Sequence, residues 1–136
     1  MARILVIEDL DLVSATIKRV LEGAGHGIAV AADGLDGLRQ FQRSDFALVI
    51  CDVFMARKDG LATLKKLRET RGDVPVIVTS GGSMRPLRAG EPRNPDYLQM
   101  ATELGAAQTI AKPFNTRELT TLVAQVLAKA SPLPLH

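Results

Sequence analysis

The sequence contains little of what marks several common protein classes. It has one cysteine, one tyrosine and no tryptophan in 136 residues, and its formal net charge is only +2. The single Cys51 cannot form an internal disulfide and is typical of a protein in a reducing compartment. The 17 Lys and Arg residues against 15 Asp and Glu residues form no basic run, so we expect no nucleic-acid binding through this domain.

Long apolar runs are also absent. No segment approaches the roughly 18 apolar residues that a transmembrane helix requires. The chain enters a strand-like segment at Arg3, so we expect no signal peptide. We therefore expect a cytoplasmic protein without a membrane role. The apolar fraction of 46% is ordinary for a globular protein. The length suits one domain, which we predict to cover residues 1–130, with a tail at residues 131–136.

The spacing of apolar residues predicts five strands that alternate with five helices. The predicted strands are residues 3–7, 27–31, 46–51, 74–80 and about 107–111. This α/β alternation is typical of a parallel sheet with helices on both faces, and we predict the flavodoxin-like (βα)5 fold with strand order 2-1-3-4-5. After the fourth strand, residues 81–95 are too rich in Gly and Pro for either a helix or a strand.

Charged side chains follow three of the predicted strands. Glu8 and Asp9 follow the first, Asp52 follows the third and Lys112 follows the fifth. Because the carboxyl ends of parallel strands share one edge of the sheet, we expect these side chains to converge in one crevice. Mg²⁺ prefers oxygen ligands. The sequence therefore predicts a Mg²⁺ site in which Asp9 and Asp52 bind directly and Glu8 binds through water.

Asp52 is also a candidate nucleophile, because a carboxylate can accept a phosphoryl group as an aspartyl phosphate. Such an attack brings one anion toward another and requires a neutralising charge. The ammonium group of Lys112 can supply part of that charge as a point cation. The hydroxyl group of Ser80, at the end of the fourth predicted strand, can donate a hydrogen bond to a phosphoryl oxygen.

Each of these residues has an ordinary structural interpretation as well. Asp9 can cap the helix that follows it, and Asp52 can be a turn residue. Lys112 can be a surface lysine, and Ser80 can belong to the loop that begins with two glycines. Chance placement of all these residues at one edge of the sheet is improbable, and their common position therefore favours a functional site.

The motifs around these residues resemble the receiver domain of the two-component response-regulator family, from Arg3 to about Lys129. The matching segments are Ile-Leu-Val-Ile-Glu8-Asp9, Leu-Val-Ile-Cys-Asp52, Asp59-Gly60, Val-Pro75-Val-Ile-Val-Thr-Ser80 and Ala-Lys112-Pro113-Phe114. Each segment alone is a weak signal, but together, in this order and on these elements, they are specific.

The resemblance implies that a histidine kinase or a histidine phosphotransfer protein phosphorylates Asp52 in the presence of Mg²⁺. It assigns the metal site four residues: Glu8, Asp9, Asp52 and, through its backbone carbonyl, Phe54. It also places Ser80 and Lys112 on the phosphoryl group. A chain of this kind is a signalling switch that acts on a downstream protein target, and it is not an enzyme.

Three features depart from the family pattern. Thr109 stands where the family usually has an aromatic residue that rotates on activation, and Ala56 stands where proline is frequent. The segment 81–95 is longer than usual. We therefore expect an intact phosphorylation site whose output runs through residues 81–97 and not through a rotating ring.

Three alternatives stay open. The chain, which we expect to act alone, can instead be the N-terminal receiver of a longer regulator. It can also be a small phosphatase with an aspartyl-phosphate intermediate, although such an enzyme needs an acid two residues after the nucleophile, where this chain has Phe54. The third is a degenerate receiver that binds partners without phosphate. The presence of all three acidic residues, Glu8, Asp9 and Asp52, argues against it.

Overall fold

The computed structural model describes residues 2–53, 60–80, 97–111 and 114–130. Strands and helices alternate through these residues, as the sequence predicts. The strands are β1 (Arg3–Ile7), β2 (Gly27–Ala31), β3 (Leu48–Asp52), β4 (Val76–Ser80) and β5 (Gln108–Ala111). The helices are α1 (Asp11–Gly23), α2 (Gly34–Arg43), α3 (Gly60–Thr70), α4 (Tyr97–Glu103) and α5 (Thr116–Ala130).

The five strands form one sheet in the order β2-β1-β3-β4-β5, and every neighbouring pair is parallel. The predicted flavodoxin-like fold and strand order are therefore confirmed. Each parallel connection passes through a helix, because a crossover has to carry the chain back to the opposite edge before the next strand can begin.

The sheet separates two apolar layers, and alternate residues of β1 contribute to each. Leu5 and Ile7 belong to the layer under α2, α3 and α4, whereas Ile4 and Val6 belong to the layer under α1 and α5. Every residue of β3 is buried. Burial on both faces explains why the central strands appear in the sequence as continuous apolar runs with no polar alternation.

The helix periodicity identified most core residues, but Leu35 is an exception. The spacing of Leu35, Leu38 and Phe41 predicts the helix that the structure shows as α2. Phe41 is buried and Leu38 is partly buried, whereas Leu35 is 55% exposed. Leu35 is the second residue of α2, whose N-cap Asp33 accepts a 2.8 Å hydrogen bond from the backbone N–H of Asp36. Six residues separate Leu35 from the buried Phe41, which places the two side chains about 120° apart around the helix axis, so Leu35 lies outside the buried face.

Both ends of β3 and the start of β4 differ from the prediction. β3 begins at Leu48 and not at Phe46, and it includes Asp52, which we had placed after the strand. β4 begins at Val76, because Pro75 has no N–H to donate to the ladder, although its carbonyl still accepts the N–H of Val49 at 3.1 Å. These differences of one or two residues are within the range by which the assigned ends of strands commonly vary.

Several predicted features lie outside the described residues. They are the long segment at residues 81–95, the tail at residues 131–136, and Phe54, Ala56 and Lys112. In the part of the chain that the structure describes, no helix is long and apolar enough to cross a membrane.

Candidate phosphoacceptor and metal site

The predicted acidic residues lie together at the carboxyl edge of the sheet. β1 and β3 are neighbours, and Ile7 pairs in register with Cys51. The chain continues from these two residues to Glu8 and Asp9 on one strand and to Asp52 on the other. The predicted strand order brings the two acidic segments side by side, because it makes strands 1 and 3 neighbours.

The three carboxylates form a compact cluster. One oxygen from each of Glu8, Asp9 and Asp52 lies within 4.8 Å of the others. Glu8 and Asp52 are each only 2% exposed, whereas Asp9 is half-buried. Two buried carboxylates beside a third are costly to hold together as anions without a cation. The cluster therefore has the charge and the ligand type of a cation site.

Glu8 is fixed by the backbone on both sides. Its N–H donates to the carbonyl of Ala31 on the neighbouring strand at 3.0 Å, and its Oε2 accepts the N–H of Leu10 at 3.3 Å. Leu10 is the N-cap of α1, and its side chain cannot accept a capping hydrogen bond. The alternative in which Asp9 is the cap residue is therefore wrong, since Asp9 precedes the cap by one residue.

The backbone at Asp52 is held from several directions. The N–H of Val53 donates to the carbonyl of Thr79 on β4 at 3.0 Å, and the thiol of Cys51 donates to the carbonyl of Asp52 at 3.7 Å. Burial, and then the charges of Asp52 and Glu8, raise the pKa of the Cys51 thiol. Cys51 therefore acts as a neutral core residue, as the sequence suggests.

Ser80, another predicted site residue, belongs to the same edge. Ser80 is the last residue of β4 and pairs in register with Ala111, the last residue of β5. Lys112 follows Ala111 directly in the chain but lies outside the described residues. Thr79 of β4 pairs with Asp52, and Ser80 is the next residue in the chain.

The donor set fits Mg²⁺. Carboxylate oxygens from one or two residues, completed by water and phosphate oxygens, are the usual ligands of this ion. Such a cation relieves the mutual repulsion of the three acidic groups. Among the described residues the cluster consists of these three carboxylates, and the thiol of neighbouring Cys51 is kept protonated by its raised pKa. These are poor conditions for a soft-metal site.

Thr109, where the family usually has an aromatic residue, is half-buried on β5. It lines an open groove of about 480 Å³ between β5 and α5, together with Leu122 and Gln125. A threonine has no ring that can move between a buried and an exposed position. That the output of this chain runs through residues 81–97 and not through a rotating aromatic side chain stays a prediction.

Sequence reasoning gave no role to Gly60, which the structure places against the site. Gly60 is the first residue of α3, is buried, and has its Cα close to the backbone of Asp52 and Val53. The available signal was a glycine at the start of a helix, a position where glycine is acceptable but rarely needed. A glycine at this position indicates close packing only when the element that packs against it, here the end of β3, is known.

Comparisons with known proteins agree with this geometry. The chain matches the response regulator receiver domain family over residues 4–124. It is 32% identical over 130 residues to the transcriptional regulatory protein CpxR of Escherichia coli K12, covering 96% of this chain and 51% of CpxR. It is 31% identical over 131 residues to the response regulator MprA of Mycobacterium sp. strain KMS, covering 96% of this chain and 52% of MprA. The chain thus spans about half the length of these relatives.

Solved structures show the same fold. A putative response regulator from Chloroflexus aurantiacus is 28% identical with a TM-score of 0.79, over 93% of this chain and 98% of that one. A CheY-like receiver domain from Methanospirillum hungatei superposes with a TM-score of 0.83 over 96% of both chains, at 23% identity. The second likeness concerns the fold alone.

Proteins of this family share a chemistry that matches the cluster described above. Receiver domains bind Mg²⁺ at an acidic pocket, and they interact with histidine kinases or phosphotransfer proteins and with output domains. They are signalling switches and generally not enzymes, which disfavours the phosphatase alternative. This chain belongs to the response regulator receiver domain family, whose members are the phosphorylation-dependent switches of two-component signalling.

Proposed function

We propose that this chain accepts a phosphoryl group on Asp52 from the phosphohistidine of a histidine kinase or phosphotransfer protein. The observation that carries the proposal is the cluster of Glu8, Asp9 and Asp52, whose oxygens lie within 4.8 Å of one another at the carboxyl edge of the sheet. Asp52 is the only one of the three that lies on β3, the central strand of the sheet. Its backbone pairs there with Thr79 of β4.

The transfer needs little covalent machinery from the protein. A carboxylate oxygen of Asp52 attacks phosphorus, a P–O bond forms, and the P–N bond to the donor imidazole breaks. The electron pair of the broken bond stays on the imidazole nitrogen. The rate then depends on how well the carboxylate is positioned and how well the added negative charge is neutralised.

Glu8, Asp9, Asp52 and the backbone carbonyl of Phe54 are the proposed holders of Mg²⁺. When bound, this cation neutralises carboxylate charge and attracts phosphoryl oxygens to the cluster. Asp9 is the most exposed of the three carboxylates in the cluster, and we assign it a direct bond to the metal. Buried Glu8, whose Oε2 already accepts the N–H of Leu10, is assigned a role through water.

Ser80 and Lys112 are the proposed phosphoryl contacts. Both follow or end strands that terminate at the same edge as Asp52, and the register of β4 with β5 supports their proximity. The Ser80 hydroxyl donates a hydrogen bond to one phosphoryl oxygen, and the Lys112 ammonium contributes positive charge. In the state produced, the phosphoryl group carries roughly 1.5 to 2 negative charges, in place of the single charge of the Asp52 carboxylate.

We further propose that the receiver domain covers residues 1–130 and that its phosphorylation alters contacts with a downstream protein. The relatives named above include transcriptional regulators, but we propose that this domain itself does not bind DNA. The family match over residues 4–124 supports this extent.

Intact mass spectrometry tests the proposal. The full chain is incubated with acetyl phosphate and Mg²⁺, and we expect a gain of one phosphoryl group. The gain should disappear in Asp52→Asn and without Mg²⁺. Undiminished labelling of Asp52→Asn would show that another residue is the acceptor.

A second comparison tests the assigned roles around the acceptor. Asp9→Asn should weaken Mg²⁺ binding in a calorimetric titration more than Glu8→Gln does, whereas Lys112→Ala should leave Mg²⁺ binding intact. Equal losses in the two carboxylate variants would contradict the distinction between direct and water-mediated binding.

A further inference from the structure

Among the described glycines, Gly60 differs from the others in what surrounds it. A Cβ atom at this position would lie 2.6 Å from the carbonyl carbon of Val53, and closer still to the carbonyl oxygen of Asp52. Real Cβ atoms essentially never approach other atoms within 3.0 Å. The first turn of α3 is therefore packed directly against the peptide that follows the proposed phosphoacceptor.

The neighbours of the other crowded glycines are different in kind. A Cβ at Gly34 would meet the side chain of Thr63, and a Cβ at Gly37 would meet the side chain of Ile7. A side chain can change its rotamer to make room. A backbone held in a sheet can yield only by moving the strand residue itself.

The peptide beside Gly60 is also held by the sheet. The Val53 N–H donates to the carbonyl of Thr79 on β4 at 3.0 Å, so a displacement of Val53 would strain this hydrogen bond. α3 is also anchored, because Leu64 and Leu67 are fully buried in the core. A side chain at position 60 would therefore push Asp52 and Val53 away from their sheet position, or push α3 out of the core.

We infer that Gly60 is a positioning residue for the phosphoacceptor: the missing side chain lets α3 fix the backbone of Asp52, and so its carboxylate, opposite Glu8 and Asp9. The inference rests on the proposed function of Asp52. It goes beyond it by assigning Gly60 a role that acts through Asp52 and not by contact with metal or phosphate. A displacement near 1 Å at a reacting group can lower a rate by about a hundredfold.

The test compares Gly60→Ala with Gly34→Ala in the full chain. Both substitutions add one methyl group next to the first turns of α3, but only Gly60→Ala presses on the backbone of Asp52 and Val53. Circular dichroism fixes a temperature at which both variants are folded. At that temperature Mg²⁺ affinity is measured by calorimetry, and the phosphorylation rate is measured against the concentration of acetyl phosphate.

We expect Gly60→Ala to bind Mg²⁺ about tenfold more weakly and to lower the maximal phosphorylation rate by about ten- to a hundredfold, as expected for a displaced reacting group. Gly34→Ala should stay within about twofold of the wild type in both measurements. The inference is overturned if Gly60→Ala keeps wild-type affinity and rate, or if Gly34→Ala loses as much.

The two measurements also separate this inference from the proposed function. Absence of phosphate uptake by the wild type refutes the proposed function, and the Mg²⁺ affinities of the two variants still decide the role of Gly60. If Gly60→Ala does not fold, the wild type provides the test by NMR. During a Mg²⁺ titration the amide resonance of Gly60 should shift more than those of Gly34 and Gly23, and an unmoved Gly60 resonance overturns the inference.

Discussion

Substitution of Asp52 by asparagine should stabilise the fold while it removes the proposed function. Asp52→Asn keeps the shape of the side chain and removes one of three carboxylates whose oxygens lie within 4.8 Å of one another. Two unit charges about 4.8 Å apart repel by about 3.5 kcal/mol at an effective dielectric constant near 20, and by about 0.9 kcal/mol in bulk water.

The larger value is the better guide, because Glu8 and Asp52 are almost fully buried. Loss of Asp52 removes its repulsion from both neighbours but also its attraction to Lys112, which we propose lies at the same edge. We therefore expect Asp52→Asn to raise the free energy of unfolding by about 1–3 kcal/mol in the absence of divalent cations.

Urea denaturation in EDTA measures the effect. The chain has no tryptophan, so unfolding is followed by far-UV circular dichroism. With Mg²⁺ at about 100 times its Kd, the wild type should gain about 2.7 kcal/mol and Asp52→Asn much less. The two proteins then become similar in stability, or their order reverses.

Asp73→Asn is the matched control. Asp73 is exposed in the turn between α3 and β4, at the opposite edge of the sheet. Its substitution should change the free energy of unfolding by no more than about 0.5 kcal/mol with or without Mg²⁺. A lower stability of Asp52→Asn in EDTA, or an undiminished gain from Mg²⁺, would refute the reasoning.

Three further predictions follow from burial and contacts. The Cys51 thiol, buried and with a raised pKa, should not react with Ellman's reagent until the protein unfolds, and rapid reaction of the native protein would contradict its burial. Leu64→Ala should cost about 2–5 kcal/mol, whereas Leu12→Ala, at a residue 81% exposed, should cost little; equal costs in denaturation would contradict the assigned core. Arg71→Lys should cost about 1–2 kcal/mol, because lysine cannot reproduce the fork that binds Asp45 at 2.8 Å and two backbone carbonyls. A stability equal to the wild type would show that these contacts are dispensable.

The fold could be predicted from the sequence because its signals are local. Fully buried parallel strands appear as continuous apolar runs, and helices appear as apolar residues three and four positions apart. Glu8, Asp9 and Asp52 each stand where such a run ends, and parallel strands end at one edge. That is enough to bring them together once the strand order is known, and the structure agrees.

The sequence was less informative where a residue's environment comes from another element. Leu35 belongs to the apolar pattern that predicts α2 but is 55% exposed, because it lies about 120° around the helix axis from the buried Phe41. Asp9 has the chemistry of an N-cap, yet Leu10 holds that position. Local propensity is a weak guide at helix ends, since tertiary contacts decide which residue begins the helix.

By itself, then, the sequence determined the alternation of elements, the acidic residues at the strand ends and the lack of an aromatic ring at Thr109. Only the tertiary structure decided the depth at which Glu8 and Asp52 are buried and the contact of Gly60 with the backbone of Asp52. The physical reason is that burial and crowding depend on the distance between α3 and β3. That distance is set by packing across the whole core, and no short stretch of the chain encodes it.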